Sequence, residues 1–151
     1  MMMMYDIMNN SIIMNSIKHI GNWGPFILFI LSCYLLYKTP FFLYLYIIGF
    51  FLNSLINVFL KNIIRQSRPN IKRASFGMPS GHAQSVFFSA MFILLTLKIT
   101  PYIASIYLFI VLNTGYQSVK YKYHTISQVI IGGLIGLSLG YIWYNTILQI
   151  K

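Results

Sequence analysis

The chain has 151 residues, of which 58% are hydrophobic and 17% aromatic, while only 8% are charged. A soluble globule of this length exposes much of its surface to water and could not hide so many apolar side chains, so we expect the chain to fold in lipid. Eleven Lys and Arg residues stand against one acid, Asp6, which excludes paired-carboxylate glycoside hydrolysis, phosphoryl transfer on carboxylate-bound metal ions and a Ser-His-Asp triad.

Residues 1–20 are predicted to form an amino-terminal extension or a short interfacial helix, and residues 21–151 a single membrane-embedded domain. Five apolar spans follow the extension, and a helix needs about 20 residues to cross a bilayer. The spans cover approximately residues 20–37, 41–60, 82–100, 101–117 and 125–150. The predicted fold is therefore an all-α integral membrane bundle of about five transmembrane helices.

Counting the crossings places residues 61–81 and 118–124 on the same side of the membrane, because two spans separate them. A positive-inside interpretation would make that side cytoplasmic, whereas a phosphate-binding site would explain the same cations by chemistry. That side carries Lys18, Lys61, Arg65, Arg68, Lys72, Arg73, Lys120 and Lys122, against Lys38, Lys98 and Lys151 on the other.

The first cationic piece follows the second span. Lys61, Arg65 and Arg68 have the spacing i, i+4 and i+7, which places them on one face if the helix continues. Like charges in that arrangement repel each other, so an anion would hold them together. The alternative is a stop-transfer cluster at the membrane edge.

The second piece, Gly-Met-Pro-Ser-Gly-His at residues 77–82, comes directly before the third span. Ser80 is suited to cap the helix, and Gly81 allows a ligand to approach the backbone. The start of a helix favours an anion, and His82 beside it could donate a proton. The alternative is an ordinary turn followed by an interfacial histidine.

The third piece opens the last span. Gln128 is four residues after His124 and lies on the same helical face, so its carbonyl could accept the Nδ1–H and leave Nε2 as a nucleophile. The alternative is a lone interfacial histidine. Taken together, the three pieces indicate phosphoryl transfer through a phosphohistidine, without a metal or another cofactor.

These pieces resemble the motifs of the type 2 phosphatidic acid phosphatase superfamily, the membrane relatives of vanadium haloperoxidases. Its first motif, Lys, six residues and Arg-Pro, is matched at 61–69, and its Pro-Ser-Gly-His motif is matched at 79–82. In the third motif, Ser-Arg, five residues, His, three residues and Asp, only the His is matched, by His124, since Gln117-Ser118 replaces Ser-Arg and Gln128 replaces Asp. The chain is most similar to the dolichyl diphosphatase branch, which also has Gln in place of that Asp; the similarity includes Asn53, Asn57, Gln84 and Gly132-Gly133.

The resemblance implies a role for each matched residue. His124 would be the nucleophile, oriented by Gln128, and His82 would be the general acid. The third-motif Arg is missing at Ser118, so Lys120, Lys122 or Arg65 would have to supply a cation there. The residues implied to hold the phosphate are Lys61, Arg68, Ser80 and Gly81, with Lys120 as the candidate replacement.

The resemblance also implies a function. The expected reaction is hydrolysis of dolichyl diphosphate to dolichyl phosphate and inorganic phosphate, in the endoplasmic reticulum membrane with the site facing the lumen. Two alternatives remain open: the same chemistry on phosphatidate or another isoprenyl diphosphate, and a non-catalytic phospholipid-binding relative. No nucleic-acid partner is expected, and the sequence fixes neither the lipid tail nor the oligomeric state.

Overall fold

The computed structural model describes residues 21–69 and 75–150. These residues contain no strand, which confirms the predicted all-α architecture, and the predicted extension over 1–20 lies outside them, as do Lys18, Lys72 and Arg73. The described part of the chain forms five helices: α1 Gly21–Leu36, α2 Pro40–Ile64, α3 Gly81–Thr96, α4 Pro101–Lys120 and α5 Ile126–Ile150.

The helices begin where the sequence offers suitable residues. Pro40 and Pro101 occupy the first turns of α2 and α4, where a missing backbone N–H costs no helical bond. Thr100 and Ser80 cap α4 and α3 by accepting hydrogen bonds from backbone N–H groups of the first turn. The predicted spans therefore agree with the observed helices to within a few residues.

The outer surface of the bundle is apolar. α2 and α5 are each long and apolar enough to cross a membrane, and α1 and α3 are shorter apolar helices. Large apolar side chains are exposed along the bundle, among them Phe51, Leu55, Leu108, Leu134 and Ile142. A bilayer would cover such a surface, which agrees with the composition.

Close packing of α3 against α5 depends on glycines spaced four residues apart on α5. A Cβ atom on Gly132 would lie 2.5 Å from the carbonyl oxygen of Ser80, and one on Gly136 would collide with the carbonyl oxygen of Gln84. The absence of a side chain at these two positions thus permits the close approach of α3 and α5. It brings the start of α3 beside the start of α5, where the Ser80 N–H donates to the Gln128 carbonyl over 3.0 Å.

An aromatic core joins α2 to α3. Tyr46 of α2 is fully buried against Phe88 and Phe92 of α3, and its hydroxyl bonds to Ser89 over 2.8 Å. This bond satisfies the one polar atom of a large buried ring.

α2 does not continue far enough to place Lys61, Arg65 and Arg68 on one helical face. α2 ends at Ile64, because Arg65 adopts the left-handed conformation with φ of 50° and donates its N–H to the Lys61 carbonyl over 3.0 Å. Arg65 is exposed, and its Nε donates to Asn62 O over 2.9 Å. Arg68 lies beyond the helix in an irregular segment that turns back toward α5.

Candidate active site

A cavity of about 150 Å³ lies at one end of the bundle, where the three sequence pieces meet. All five helices contribute to it, either directly or through the segment next to their end. This arrangement agrees with the side assignment made by counting crossings. The cavity is lined by Asn22, Lys61, Arg68, Gly81, His82, Gln117, Ser118, Tyr123 and His124.

His124 is the most enclosed imidazole in the described residues, with only 3% of its surface exposed. Its Nδ1 lies 3.2 Å from Gln128 Oε1, and its Nε2 lies 3.2 Å from Arg68 Nη1. The backbone that carries it is anchored to α4, since the N–H groups of Tyr123 and His124 both donate to the Ser118 carbonyl over 3.0 Å. Hydrogen bonds therefore hold both ring nitrogens of His124 and the backbone that carries the ring.

The amide of Gln128 determines which imidazole nitrogen carries the proton. Its Nε2 donates to Gln66 Oε1 over 3.0 Å and to the Ser67 carbonyl over 2.9 Å, so its oxygen must face His124. Arg68 can only donate, so His124 Nε2 accepts from it and Nδ1 carries the hydrogen given to Gln128. This is the tautomer expected of a nucleophilic Nε2.

Burial and charge favour the neutral form of that imidazole. Desolvation is the larger cause, and the guanidinium of Arg68 adds to it; together they lower the pKa of His124 to about 4. The bond to Gln128 acts in the opposite direction, but with a smaller effect. Nε2 is therefore unprotonated at neutral pH.

Arg68 is held in place by bonds along its whole guanidinium. Nε donates to the Ser75 carbonyl over 3.0 Å, Nη2 to Ser75 Oγ over 3.1 Å, and Nη1 to the Tyr123 carbonyl over 3.3 Å. These bonds fix a positive charge directly against His124. An oxyanion in the cavity would meet this charge without needing to reorganise the arginine.

The start of α3 forms another part of the site. Gly81 and His82 line the cavity, whereas Ser80 is fully buried and acts as the helix cap, accepting from Ala83 N over 3.5 Å. Ser80 thus supports the first turn rather than lining the cavity. Lys61, half-buried at the end of α2, brings a cation to the same space.

A buried amide network behind α3 sets the position of this helix start. Asn57 Nδ2 donates to Gln84 Oε1 over 2.7 Å and to the Pro79 carbonyl over 3.3 Å. Gln84 Nε2 donates in turn to the carbonyl and the side-chain oxygen of Asn53, over 2.8 and 2.9 Å. This network therefore ties α2 to the segment just before His82. Its three side chains are the polar residues that the chain shares with the dolichyl diphosphatase branch.

The cation expected to replace the missing third-motif arginine is not found in the cavity lining. Ser118 is 2% exposed and donates its hydroxyl to the Thr114 carbonyl of its own helix over 2.8 Å. The exposed Lys120 bonds to the hydroxyl of Tyr116 over 2.9 Å and stays outside the lining, as do Lys122 and Arg65. The backbone carbonyl of Ser118, and not its side chain, contacts the His124 segment, because it accepts the hydrogen bond from the His124 N–H.

Sequence reasoning gave no role to three residues of the lining, Asn22, Gln117 and Tyr123. Gln117 is buried, with 1% exposed, and donates Nε2 to Asn22 Oδ1 over 2.9 Å. No motif marked Asn22; the only signal was a polar residue at the start of an apolar span. We call Lys61, Arg68 and His124 the charged wall of the cavity, and Asn22, Gln117 and Ser118 the neutral wall.

A larger groove adjoins this cavity. It has a volume of about 470 Å³ and shares Asn22, Gly81 and His82 with the smaller space. The shared residues mark its polar end. The rest of its lining is mostly apolar and comprises Trp23, Pro25, Phe26, Phe50, Ser54, Asn57, Val58 and Ser85.

Comparisons of the sequence give the same family as the motifs. Residues 71–150 match the model of the PAP2 superfamily. Dolichyldiphosphatase 1 of Dictyostelium discoideum is 36% identical over 116 residues, covering 66% of this chain and 50% of that protein. Lipid phosphate phosphatase epsilon 2, chloroplastic, of Arabidopsis thaliana is 36% identical over 108 residues, covering 66% and 38%. The chain thus spans about half the length of these curated relatives, or less.

Solved structures share the fold. The transmembrane PAP2 type phosphatidylglycerolphosphate phosphatase of Bacillus subtilis superposes with a TM-score of 0.72 at 23% identity, covering 92% of this chain and 77% of that one. Aquifex aeolicus LpxE superposes with a TM-score of 0.70 at 22% identity, covering 95% and 94%. The arrangement of helices around the cavity is therefore shared well beyond the curated relatives.

Proposed function

This chain belongs to the PAP2 superfamily, and from that premise we propose that it is a membrane lipid phosphatase working through a phosphohistidine on His124. One observation carries the proposal: a neutral imidazole, with Nε2 against the Arg68 guanidinium, lines the same cavity as His82. A nucleophile, a fixed cation and a second imidazole are the three parts that the reaction needs.

The proposed reaction has two steps. In the first, Nε2 of His124 attacks phosphorus, a P–N bond forms, the P–O bond to the leaving group breaks, and the leaving oxygen takes a proton from His82. In the second, His82 removes a proton from water, the hydroxide oxygen bonds to phosphorus, and the P–N bond breaks. Inorganic phosphate leaves, and both imidazoles return to their starting forms.

Positive charge and backbone donors would stabilise the transferring phosphoryl group. Lys61 and Arg68 supply the charge, and Gly81 at the start of α3 allows the phosphoryl oxygens to approach backbone N–H groups. We propose that no metal takes part, because the sequence contains one acidic residue and so no set of carboxylate ligands.

We propose dolichyl diphosphate as the substrate, with dolichyl phosphate and inorganic phosphate as products. The similarity to Dictyostelium dolichyldiphosphatase 1 supports this choice, as does the apolar groove that begins at His82. As the family resemblance implies, the site would face the lumen of the endoplasmic reticulum. The Lys122→Cys variant, in a Cys33→Ser background, tests that orientation. The measurement is the side of the membrane from which an impermeant thiol reagent labels it.

A related substrate is the main rival. The chloroplastic lipid phosphate phosphatase of Arabidopsis is as similar in identity as the Dictyostelium protein, so phosphatidate or another isoprenyl diphosphate would fit the same chemistry. A non-catalytic phospholipid binder is the second candidate, favoured by one observation: the hydroxyl of Ser118 is bonded within α4, where the family has an arginine.

The test is phosphate release by the detergent-purified protein from dolichyl diphosphate, undecaprenyl diphosphate, a shorter isoprenyl diphosphate and phosphatidate, with and without EDTA. We expect dolichyl diphosphate to be the best substrate, no loss with EDTA, and no turnover or trapped phosphoenzyme in His124→Ala. Preference for phosphatidate would overturn the lipid assignment. Loss of activity on chelation would overturn the metal-free mechanism, and absence of turnover on every lipid would favour the binder.

A further inference from the structure

The neutral wall of the cavity has no cation. The arginine of the family motif is replaced by Ser118, whose hydroxyl bonds to Thr114, and Lys120 lies outside the lining. What the wall presents to the cavity instead is the pair of amides on Gln117 and Asn22. We propose that Asn22, through its Nδ2, is a direct ligand of the substrate's phosphate and supplies the donor that position 118 lacks.

The place of Asn22 over the cavity is set by tight packing of α1 on α4. A Cβ atom on Gly21 would lie 2.5 Å from the Cβ of Gln117, and one on Gly24 would collide with Thr114 Oγ1. Two glycines three residues apart thus let the helices approach more closely than any larger residue would allow. As a result, the first turn of α1 lies beside the last turn of α4, at the cavity.

Gln117 fixes the orientation of the Asn22 amide. Its side chain is buried, and its Nε2 donates to Asn22 Oδ1 over 2.9 Å. Since the oxygen of the exposed Asn22 amide receives this bond, its NH₂ group is left to donate to a different acceptor. Both residues line the cavity, so a phosphoryl oxygen bound there is an acceptor of the right kind.

The site of this donor also matches the reaction. Asn22, Gly81 and His82 are the residues common to the cavity and the apolar groove, so Asn22 stands where the phosphate would meet its leaving group. An amide donates hydrogen bonds without adding charge, so it stabilises oxygens less than an arginine but needs no counter-charge in a lipid-bounded site. The inference rests on the proposed function for the phosphate, and it adds α1 to the binding site.

The decisive variant is Asn22→Asp. Aspartate has nearly the same shape and keeps an oxygen for Gln117 Nε2, but it replaces the NH₂ donor with a negative oxygen facing the phosphate. We expect kcat/KM to fall by at least about 100-fold, and by about 10- to 100-fold in Asn22→Ala. The matched control is Asn145→Asp, a half-buried asparagine near the far end of α5, which should stay within about twofold of the unmodified protein.

A binding measurement separates this inference from the proposed function. Inorganic orthovanadate, a phosphate analogue, should raise the unfolding temperature of the purified protein, and this rise should be lost in Asn22→Asp but kept in Asn145→Asp. If Asn22→Asp and Asn22→Ala both turn over lipid and respond to vanadate like the unmodified protein, the inference is overturned while the phosphatase remains. If the unmodified protein responds to vanadate without turnover, and Asn22→Asp does not respond, the phosphatase fails and the ligand role stands.

Should Asn22→Asp fail to fold, Asn22→Ala provides the same comparison without a new charge. A response of folded Asn22→Ala to vanadate at the same concentrations as the unmodified protein, with kcat/KM also unchanged, would overturn the inference. A vanadate response shifted to at least about tenfold higher concentration would support it.

Discussion

The charged wall and the neutral wall face the same cavity but are built in different ways. On the charged wall, Arg68 and His124 are held by a shell of hydrogen bonds that includes Gln128, so their positions are set before any ligand arrives. On the neutral wall, Gln117 and Asn22 present amides. The difference concentrates positive charge on one side of the cavity. A phosphate bound as we propose would therefore be stabilised mainly on that side, where reorganisation is least.

The largest expected effect comes from removing the fixed cation of the charged wall. Arg68→Ala should lower kcat/KM by about 10³-fold, because a preorganised charge beside the developing oxyanion is lost. Arg68→Lys should lose less, since it keeps the charge but not the planar set of donors. Steady-state phosphate release measures both.

The matched control for this substitution is Arg65→Ala. Arg65 is three residues away and exposed, and its side chain donates to Asn62 O of its own segment. It should stay within about twofold of the unmodified protein. Equal losses at the two positions would mean that general basicity, and not the geometry of the charged wall, supports the reaction.

A smaller effect is expected at the second cation. Lys61→Ala should lower kcat/KM by about 10- to 100-fold, the range for one hydrogen bond to a charged group. Lys120→Ala serves as the comparison, because its ammonium bonds to Tyr116 outside the lining, and we expect little change. If Lys120→Ala lost more activity than Lys61→Ala, the lysine on α4 and not that on α2 would be the phosphate ligand.

The hydrogen bond between His124 Nδ1 and Gln128 predicts a shift of the pH profile when Gln128 is replaced. With the pKa of His124 lowered to about 4 by burial and Arg68, kcat/KM should fall on the acid side only as the pH drops toward 4. Gln128→Glu places a carboxylate at Nδ1, which stabilises the imidazolium, raises that pKa and moves the acid limb to higher pH. Substrate ionisation is common to both enzymes, so coincident acid limbs would contradict the assignment. Loss of the His82 proton should close the profile on the alkaline side.

The smallest effect is expected on the neutral wall at the position of the missing arginine. Ser118→Ala should change kcat/KM by less than about threefold and lower stability by no more than about 1 kcal/mol, because the hydroxyl serves the Thr114 carbonyl. Phosphate release and thermal unfolding in detergent measure the two quantities. A loss above tenfold in kcat/KM would show that the hydroxyl leaves α4 to bind the substrate, and would remove the distinction between the walls.

The sequence allowed the helices and the charged wall to be predicted for definite reasons. Long apolar runs bounded by Pro40 and Pro101 determine where the helices lie, and counting them brings residues 61–81 and 118–124 to one end. The pairing of His124 with Gln128 followed from a spacing of four residues, and the structure has that bond. Local periodicity was sufficient for each of these.

Other features depended on contacts that no local pattern carries. The left-handed conformation of Arg65 at the end of α2 was not predicted, because its residue type does not require it. Asn22 was missed because its place depends on the packing of Gly21 against Gln117, 96 positions along the chain. The role of Lys120 was overestimated from its proximity in sequence, since the helix directs its side chain to Tyr116.

The fixed amide of Gln128 has a consequence for the chemical identity of the phosphohistidine that we propose. Its carbonyl occupies Nδ1 of His124, so a phosphoryl group can be carried only on Nε2, and the trapped adduct would be a single phosphoramidate regioisomer. Such an adduct is distinguishable from its Nδ1 counterpart after digestion, by chromatography against standards of the two phosphohistidines. The ring nitrogen that carries the phosphoryl group in the digested peptide would therefore report the hydrogen bond between Gln128 and His124 Nδ1.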